Sequence, residues 1–275
     1  MLNYKIIASD LDGTLLRDDK TISQENLDAI KKFAEMGGIF VPTTGRSVGE
    51  LPDELISNPY VRYVICSDGT GIFDKEVGKC EFDFMPHDVL MQALDIILDY
   101  DVPMVLHYDN AAYSNTTKQL FAAEQLERIG NLAPLVDYFT YTTHKPSFRE
   151  FCDSLKGAEL LFIYFWDKSQ LDECVNRLNQ IGEYNILCSA ESSIEIIRKT
   201  SGKGLALLRL ADMLGVKKEE TIGVGDNTND NNLIECAGLG LAMGNAVDAL
   251  KAIADRVICT NEEHNIDYIV KNIIK

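Results

Sequence analysis

The stretch "KIIASDLDGTLL", residues 5–16, decides the fold. Ile6-Ile7-Ala8 is a short apolar run that reads as a buried strand, and it stops at two carboxylates, Asp10 and Asp12, with Gly13 directly behind them. A turn accounts for Asp and Gly at a strand end, since both are common there. It does not account for two like charges two residues apart. On an extended segment residues i and i+2 point to one side, and in an open α/β sheet ligands sit beyond the carboxyl ends of the strands. Asp10 and Asp12 are therefore expected to face one crevice. Their repulsion raises both pKa values, and a divalent cation relieves it. Oxygen ligands suit Mg²⁺.

Working outward, Ser23 reads as a helix N-cap with Ile22 and Leu27 placed as a hydrophobic staple. Leu27, Ile30, Phe33 and Ala34 keep helical spacing, Gly37-Gly38 ends that helix, and Ile39 to Val41 starts a second strand. With Tyr63 to Cys66 as a third strand, the pattern is a βαβ unit with a parallel sheet. The last third repeats the alternation, from a helix at Leu205 to Leu214 and a strand at Thr221 to Val224 through to a closing helix at Ile266 to Ile274. The middle mixes helices such as Val89 to Leu98 with strands such as Met104 to His107 and the apolar run "ELLFIYF". The expected fold is α/β: a Rossmann-like parallel-sheet core, residues 1–82 and 190–275, split by an inserted α+β domain, residues 83–189.

The bulk numbers narrow the function. The net charge of −17 repels polyanions, so neither nucleic acid nor an anionic membrane is an expected partner. No apolar run reaches the roughly 18 residues of a membrane span, and no signal peptide is visible, which makes the cytoplasm the expected compartment. The seven cysteines are scattered, odd in number and never in a C-x-x-C pair, the pattern of reduced structural thiols.

Three further stretches carry chemistry. "GVGDNTND" places Asp226 and Asp230 after a strand, where they reach the same sheet edge as the first pair. An EF-hand loop is excluded, because Asn231 stands where its turn glycine belongs and Ala237 where its bidentate Glu belongs. "PTTGRS" offers the Thr44 hydroxyl, the Gly45 backbone and the Arg46 charge after another strand. "SGKG" puts Lys203 at a helix start, against the preference of the helix dipole for acids. Templates for a P-loop, a nucleophile elbow and a dinucleotide fingerprint all fail.

Taken in order, "DLDGTLL", "TTGR", "SGKG" and "GDNTND" resemble the four motifs of the haloacid dehalogenase superfamily of phosphohydrolases. The tail "LAMGNAVDALKAIADRVICTN" is similar to its Cof-type branch, in which an α/β cap sits between the second and third motifs. The resemblance implies a phosphatase in which Asp10 is the nucleophile that becomes an aspartyl-phosphate and Asp12 the acid and base. It implies Mg²⁺ held by the Asp10 and Asp226 carboxylates and the Asp12 carbonyl, with Asp230 ordering its waters, and a phosphoryl group bound by Thr44, Gly45, Lys203 and Asn229. The partner expected is a small phosphorylated metabolite; a sugar phosphomutase and a non-catalytic binding module are the alternatives. Where many relatives carry Asn-Gly after the third strand, this chain has Asp68-Gly69, so Asp68 joins Arg46 and the cap's His107 as expected substrate-side residues. Oligomeric state is not legible.

Overall fold

The computed structural model describes residues 2–130 and 139–275. Ile6–Ser9 forms strand β1, with all of its residues buried, as an apolar run covered on both faces must be. Helix α1 (Gln24–Glu35) follows. Ser23 caps it by accepting a hydrogen bond from the Asn26 N–H at 3.2 Å, which satisfies one of the donors a helix start leaves open. The chain returns as β2 (Ile39–Pro42), parallel to β1. After helix α2 (Lys203–Met213) come β3 (Thr221–Gly225), β4 (Leu239–Ala242) and β5 (Arg256–Val257). Among the described residues these strands form one parallel sheet in the order β5-β4-β3-β1-β2.

That order positions the site. From β1 the chain moves to the neighbour on one side, and from β3 it moves to the neighbour on the other, so the direction of winding reverses between two adjacent strands. Connections diverge at such a point and leave a crevice at the carboxyl ends. The register Ile6↔Thr221 through Ser9↔Val224 brings the residues following both strands to one height, and the Asp10 N–H donates to the Val224 carbonyl at 2.9 Å. Beneath, Ile6, Ala8, Val41 and Ile65 pack with Ala206, Leu207 and Leu210 of α2. Each such large aliphatic side chain contributes about 1.5–3 kcal/mol by leaving water.

Tyr63–Cys66 is the expected strand, at the margin of the parallel sheet. It pairs antiparallel with Gly71–Asp74 rather than entering the parallel sheet as a ladder strand, and it meets β2's extension through a bridge from Thr43 to Ile65. Beyond the strand, Ser67, Asp68 and Gly69 all have positive φ, 47°, 50° and 90°, and reverse the chain at once into this hairpin.

The chain divides into two compact units, one of Met1–Arg46, Leu51–Glu81 and Ser201–Lys275, the other of Ser47–Glu50 and Phe82–Thr200. The second has its own mixed sheet, in spatial order Tyr184–Ala190, Ser193–Arg198, Leu160–Tyr164, Met104–Tyr108, Ala111–Ser114 and Thr142–His144. Helices His87–Ile97 and Lys168–Ile181 bury Leu90, Leu94, Leu171 and Leu178 against it. The sequence reading ends the insertion at residue 189, whereas this unit runs to Thr200. Tyr184–Ala190 and Ser193–Arg198 are paired strands, and a border between them would cut their ladder. The fold is thus α/β, a parallel-sheet core interrupted by an α+β cap. All seven cysteines are free, and no helix among the described residues is long and apolar enough to cross a membrane.

Candidate active site

Asp10 leaves β1 and is 6% exposed. Three residues on, Gly13 adopts φ +76°, and the turn carries Thr14 back so that its hydroxyl donates to Asp226 Oδ1 at 2.9 Å. A Cβ on Gly13 would stand 2.4 Å from Asp226 Oδ2, so the turn and the carboxylate fit together only with glycine. Asp226 follows β3. Asp230, fully buried, accepts the N–H groups of Asp226 and Asn227 on Oδ2 at 3.0 and 3.1 Å. Carboxylate oxygens of Asp10, Asp226 and Asp230 lie within 4.8 Å of one another.

Lys203, the first residue of α2, is 1% exposed. Its Nζ donates to Asp10 Oδ1 at 2.7 Å and to Asp230 Oδ1 at 2.6 Å, and lies 3.8 Å from Asp68 Oδ1. These acids outweigh the helix dipole and explain a lysine at that position. Burial favours the neutral amine, yet the charges of Asp10, Asp230 and Asp68 overcome it and hold the ammonium well above its usual range. One ammonium does not balance the acids. Burial, then the Asp230 charge, drives Asp10 well above the carboxylate range against the pull of Lys203. The same two causes, in that order, push Asp226 up to about 6. The donor set of carboxylate oxygens at two strand ends fits a hard divalent cation, which would neutralise this excess negative charge.

Asp12 is not one of that close group of three carboxylates, though its charge reaches Asp226. Its carboxylate takes a two-pronged pair from Arg46, Nε to Oδ2 and Nη2 to Oδ1, both at 2.9 Å, and a third bond from Lys20 at 2.8 Å. Burial works to raise its pKa, but the Arg46 and Lys20 bonds prevail and hold it below the carboxylate range. Arg46, expected toward substrate, is thus engaged by Asp12. Thr44 is buried, its hydroxyl accepting the Arg46 N–H at 3.2 Å, and the half-buried Gly45 lies directly over Asp68. Asn229 sits half-buried in the turn Thr228–Asp230.

His107 belongs elsewhere. It lies in the second unit on Met104–Tyr108, with 0% exposure and Nε2 3.5 Å from Glu50 Oε2. The ring is buried beside Glu50, in the unit that does not carry Asp10, Asp226 and Lys203.

Other participants escape a reading of the sequence. Lys20 and Thr14 hold Asp12 and Asp226. Asn245 donates to the Gly13 carbonyl at 2.8 Å and accepts the Asn261 N–H at 3.0 Å, tying the first turn to the chain's last third. Asn232 Oδ1 accepts the N–H groups of Gly204 and Leu205 at 3.0 and 3.2 Å, fixing the start of α2 under Lys203. Thr14 stood inside the opening motif; for the asparagines no local signal exists.

A family model described as haloacid dehalogenase-like hydrolase matches residues 7–270. The chain is similar to the phosphatase YwpJ of Bacillus subtilis strain 168, 29% identical over 294 residues, with 98% of this chain and 100% of that protein covered. It is similar to the 5-amino-6-(5-phospho-D-ribitylamino)uracil phosphatase YitU of the same strain, 28% identical with 97% and 96% covered. Among solved structures, a haloacid dehalogenase-like hydrolase from B. subtilis superposes with a TM-score of 0.83 at 27% identity, over 98% of this chain and 99% of that one.

Proposed function

The chain belongs to the haloacid dehalogenase-like hydrolases, and from that premise we propose a Mg²⁺-dependent phosphoric monoester hydrolase that works through an aspartyl-phosphate on Asp10. Its substrate is a small phosphorylated metabolite, a sugar phosphate or a phosphorylated cofactor. One observation supports this above the rest: a buried ammonium, Lys203, held between Asp10 and Asp230 where β1 and β3 end side by side.

Phosphoryl transfer asks mainly for positioning and charge stabilisation. Lys203 holds Asp10 Oδ1, which leaves the other carboxylate oxygen to attack phosphorus as the bond to the leaving oxygen breaks. Thr44 and Gly45, with Asn229 and Lys203, hold the phosphoryl oxygens. Asp12 gives a proton to the leaving oxygen, then takes one from the water that attacks phosphorus, releasing phosphate and restoring Asp10. Arg46 and Lys20 together hold Asp12 in its charged form, so a phosphate that draws the guanidinium away also favours the protonated acid. Mg²⁺, when bound by Asp10, Asp226 and the Asp12 carbonyl near Asp230, supplies positive charge that offsets repulsion between nucleophile and phosphate.

The test is phosphate release from an aryl phosphate and from a panel of sugar and cofactor phosphates. Release with Mg²⁺ and its loss on chelation are expected; activity that survives chelation sinks the metal. Hexose phosphate isomerised without free phosphate, followed by phosphorus NMR, would instead mark a mutase.

Gly13→Ala is expected to lower kcat/KM about 100-fold, the cost of roughly 1 Å of misplacement at a reacting group. The added Cβ, 2.4 Å from Asp226 Oδ2, must displace that carboxylate, and left-handed backbone adds about 1–2 kcal/mol of strain. Unchanged kinetics of aryl phosphate hydrolysis would contradict the fit described for the turn.

The pH dependence of metal binding follows from Asp226 and Asp10. Both pKa values are raised from 3.8, Asp226 to about 6, so the metal-free folded state keeps protons that the unfolded chain has lost. The Asp226 contribution to stability is full below about pH 4 and is lost as pH rises through about 6, and that of Asp10 is lost in the same direction, as pH rises through its own raised pKa. A cation competes with those same protons. The gain in Tm on adding Mg²⁺ should therefore be small at pH 4 and grow through pH 7, and Asp226→Asn should flatten the growth. A gain independent of pH would contradict it.

A further inference from the structure

Asp68 is a buried carboxylate, 0% exposed, whose oxygens take no hydrogen bond from any described residue. Its backbone is left-handed, φ 50° and ψ 36°, a conformation that Asp and Asn adopt more readily than other side chains. An Asp that caps a turn accepts backbone N–H groups on its side chain; Asp68 does not, and its own N–H donates to the Thr44 carbonyl at 3.0 Å. The carboxylate lies between Lys203 and Gly45 instead. Oδ1 is 3.8 Å from Lys203 Nζ, and Oδ2 is 3.1 Å from where a Cβ on Gly45 would stand.

An ammonium has three protons to donate. Lys203 gives two to Asp10 and Asp230, so the third faces both Asp68 and any phosphate arriving over Gly45. We propose that Asp68 is a positioning residue that keeps this anion pocket weak: it holds the free side of the Lys203 ammonium and repels bound phosphate, so that inorganic phosphate leaves after hydrolysis. The inference rests on the reading of Thr44, Gly45 and Lys203 as the phosphoryl pocket. A negative charge within a few ångströms of a bound anion in a largely buried site weakens it by about tenfold or more. The repulsion acts on product phosphate and on the substrate's phosphoryl group alike, so KM rises with the product's inhibition constant.

Asp68→Asn keeps the shape and tolerates the left-handed backbone, and Asp68→Gly frees the backbone while removing the side chain. The probe is inorganic phosphate, read as competitive inhibition of aryl phosphate hydrolysis and as the phosphate-dependent rise in Tm. Both variants should bind phosphate about tenfold tighter or more, with KM falling in step and kcat falling rather than rising. Phosphate binding that is unchanged or weaker in a variant melting like the wild type overturns the proposal while leaving the pocket in place. Variants that both melt far below the wild type show a structural role and overturn it too. A wild type that phosphate neither inhibits nor stabilises overturns the pocket reading, and the proposal with it.

Discussion

Asp10→Asn should abolish turnover, with kcat for an aryl phosphate down about 10⁴-fold or more, the scale on which removing a covalent nucleophile is felt. An amide is not a competent nucleophile toward phosphorus, and no neighbour takes the role. Asp226 is engaged by Thr14, Asp230 by Lys203 and two backbone N–H groups, and Asp12 by Arg46 and Lys20. Stability separates this loss from misfolding. Burial and the Asp230 charge already press Asp10 toward its neutral form, so a neutral amide relieves repulsion, while Lys203 keeps Asp230 at 2.6 Å. Tm in chelator should not fall. Retained turnover would refute the covalent route, and a collapsed Tm would make the kinetic result uninformative about it.

Lys203→Met should harm both folding and activity. Removing one partner from a buried charge cluster leaves the others uncompensated and costs about 3–5 kcal/mol. Here Asp10, Asp230 and Asp68 would lose their shared cation at once. The pH dependence gives the sign. Lys203 is the charge that pulls the raised pKa values of Asp10 and Asp226 down, so without it both rise further above those of the unfolded chain, and the variant's deficit grows as pH rises from 5 to 7 and shrinks as acid neutralises the pair. Denaturant unfolding at both pH values measures it, and added Mg²⁺ should recover part of the loss. A deficit equal at both pH values and indifferent to the cation would mean that Lys203 serves packing rather than charge. Turnover should fall about 10³-fold even where the variant is folded, because preorganised charge beside a transferring phosphoryl group is worth that much.

Much of this was legible before any coordinates, for a physical reason. A strand buried on both faces must be continuously apolar, so Ile6-Ile7-Ala8 announced itself, and a carboxylate at its end had to be in a crevice or in solvent. The same reasoning applied to Asp226, and Lys203 stood out because it opposed its own helix dipole. These are local rules, read within a few residues.

What only the tertiary structure decided are the pairings between distant residues. Nothing near Asp12 indicates that Arg46, 34 residues away, grips it with two bonds. Nor does anything near Asp68 reveal a buried carboxylate left without hydrogen bonds beside Lys203. His107 sat in a promising polar stretch, yet sheet packing sealed it against Glu50. Tyr63–Cys66 has a strand's composition, but its antiparallel partner Gly71–Asp74, reached through three positive φ values, shows only in the fold. Composition and periodicity say which side chains must leave water. Register and packing, set by contacts across the whole chain, decide which charges meet once they have left.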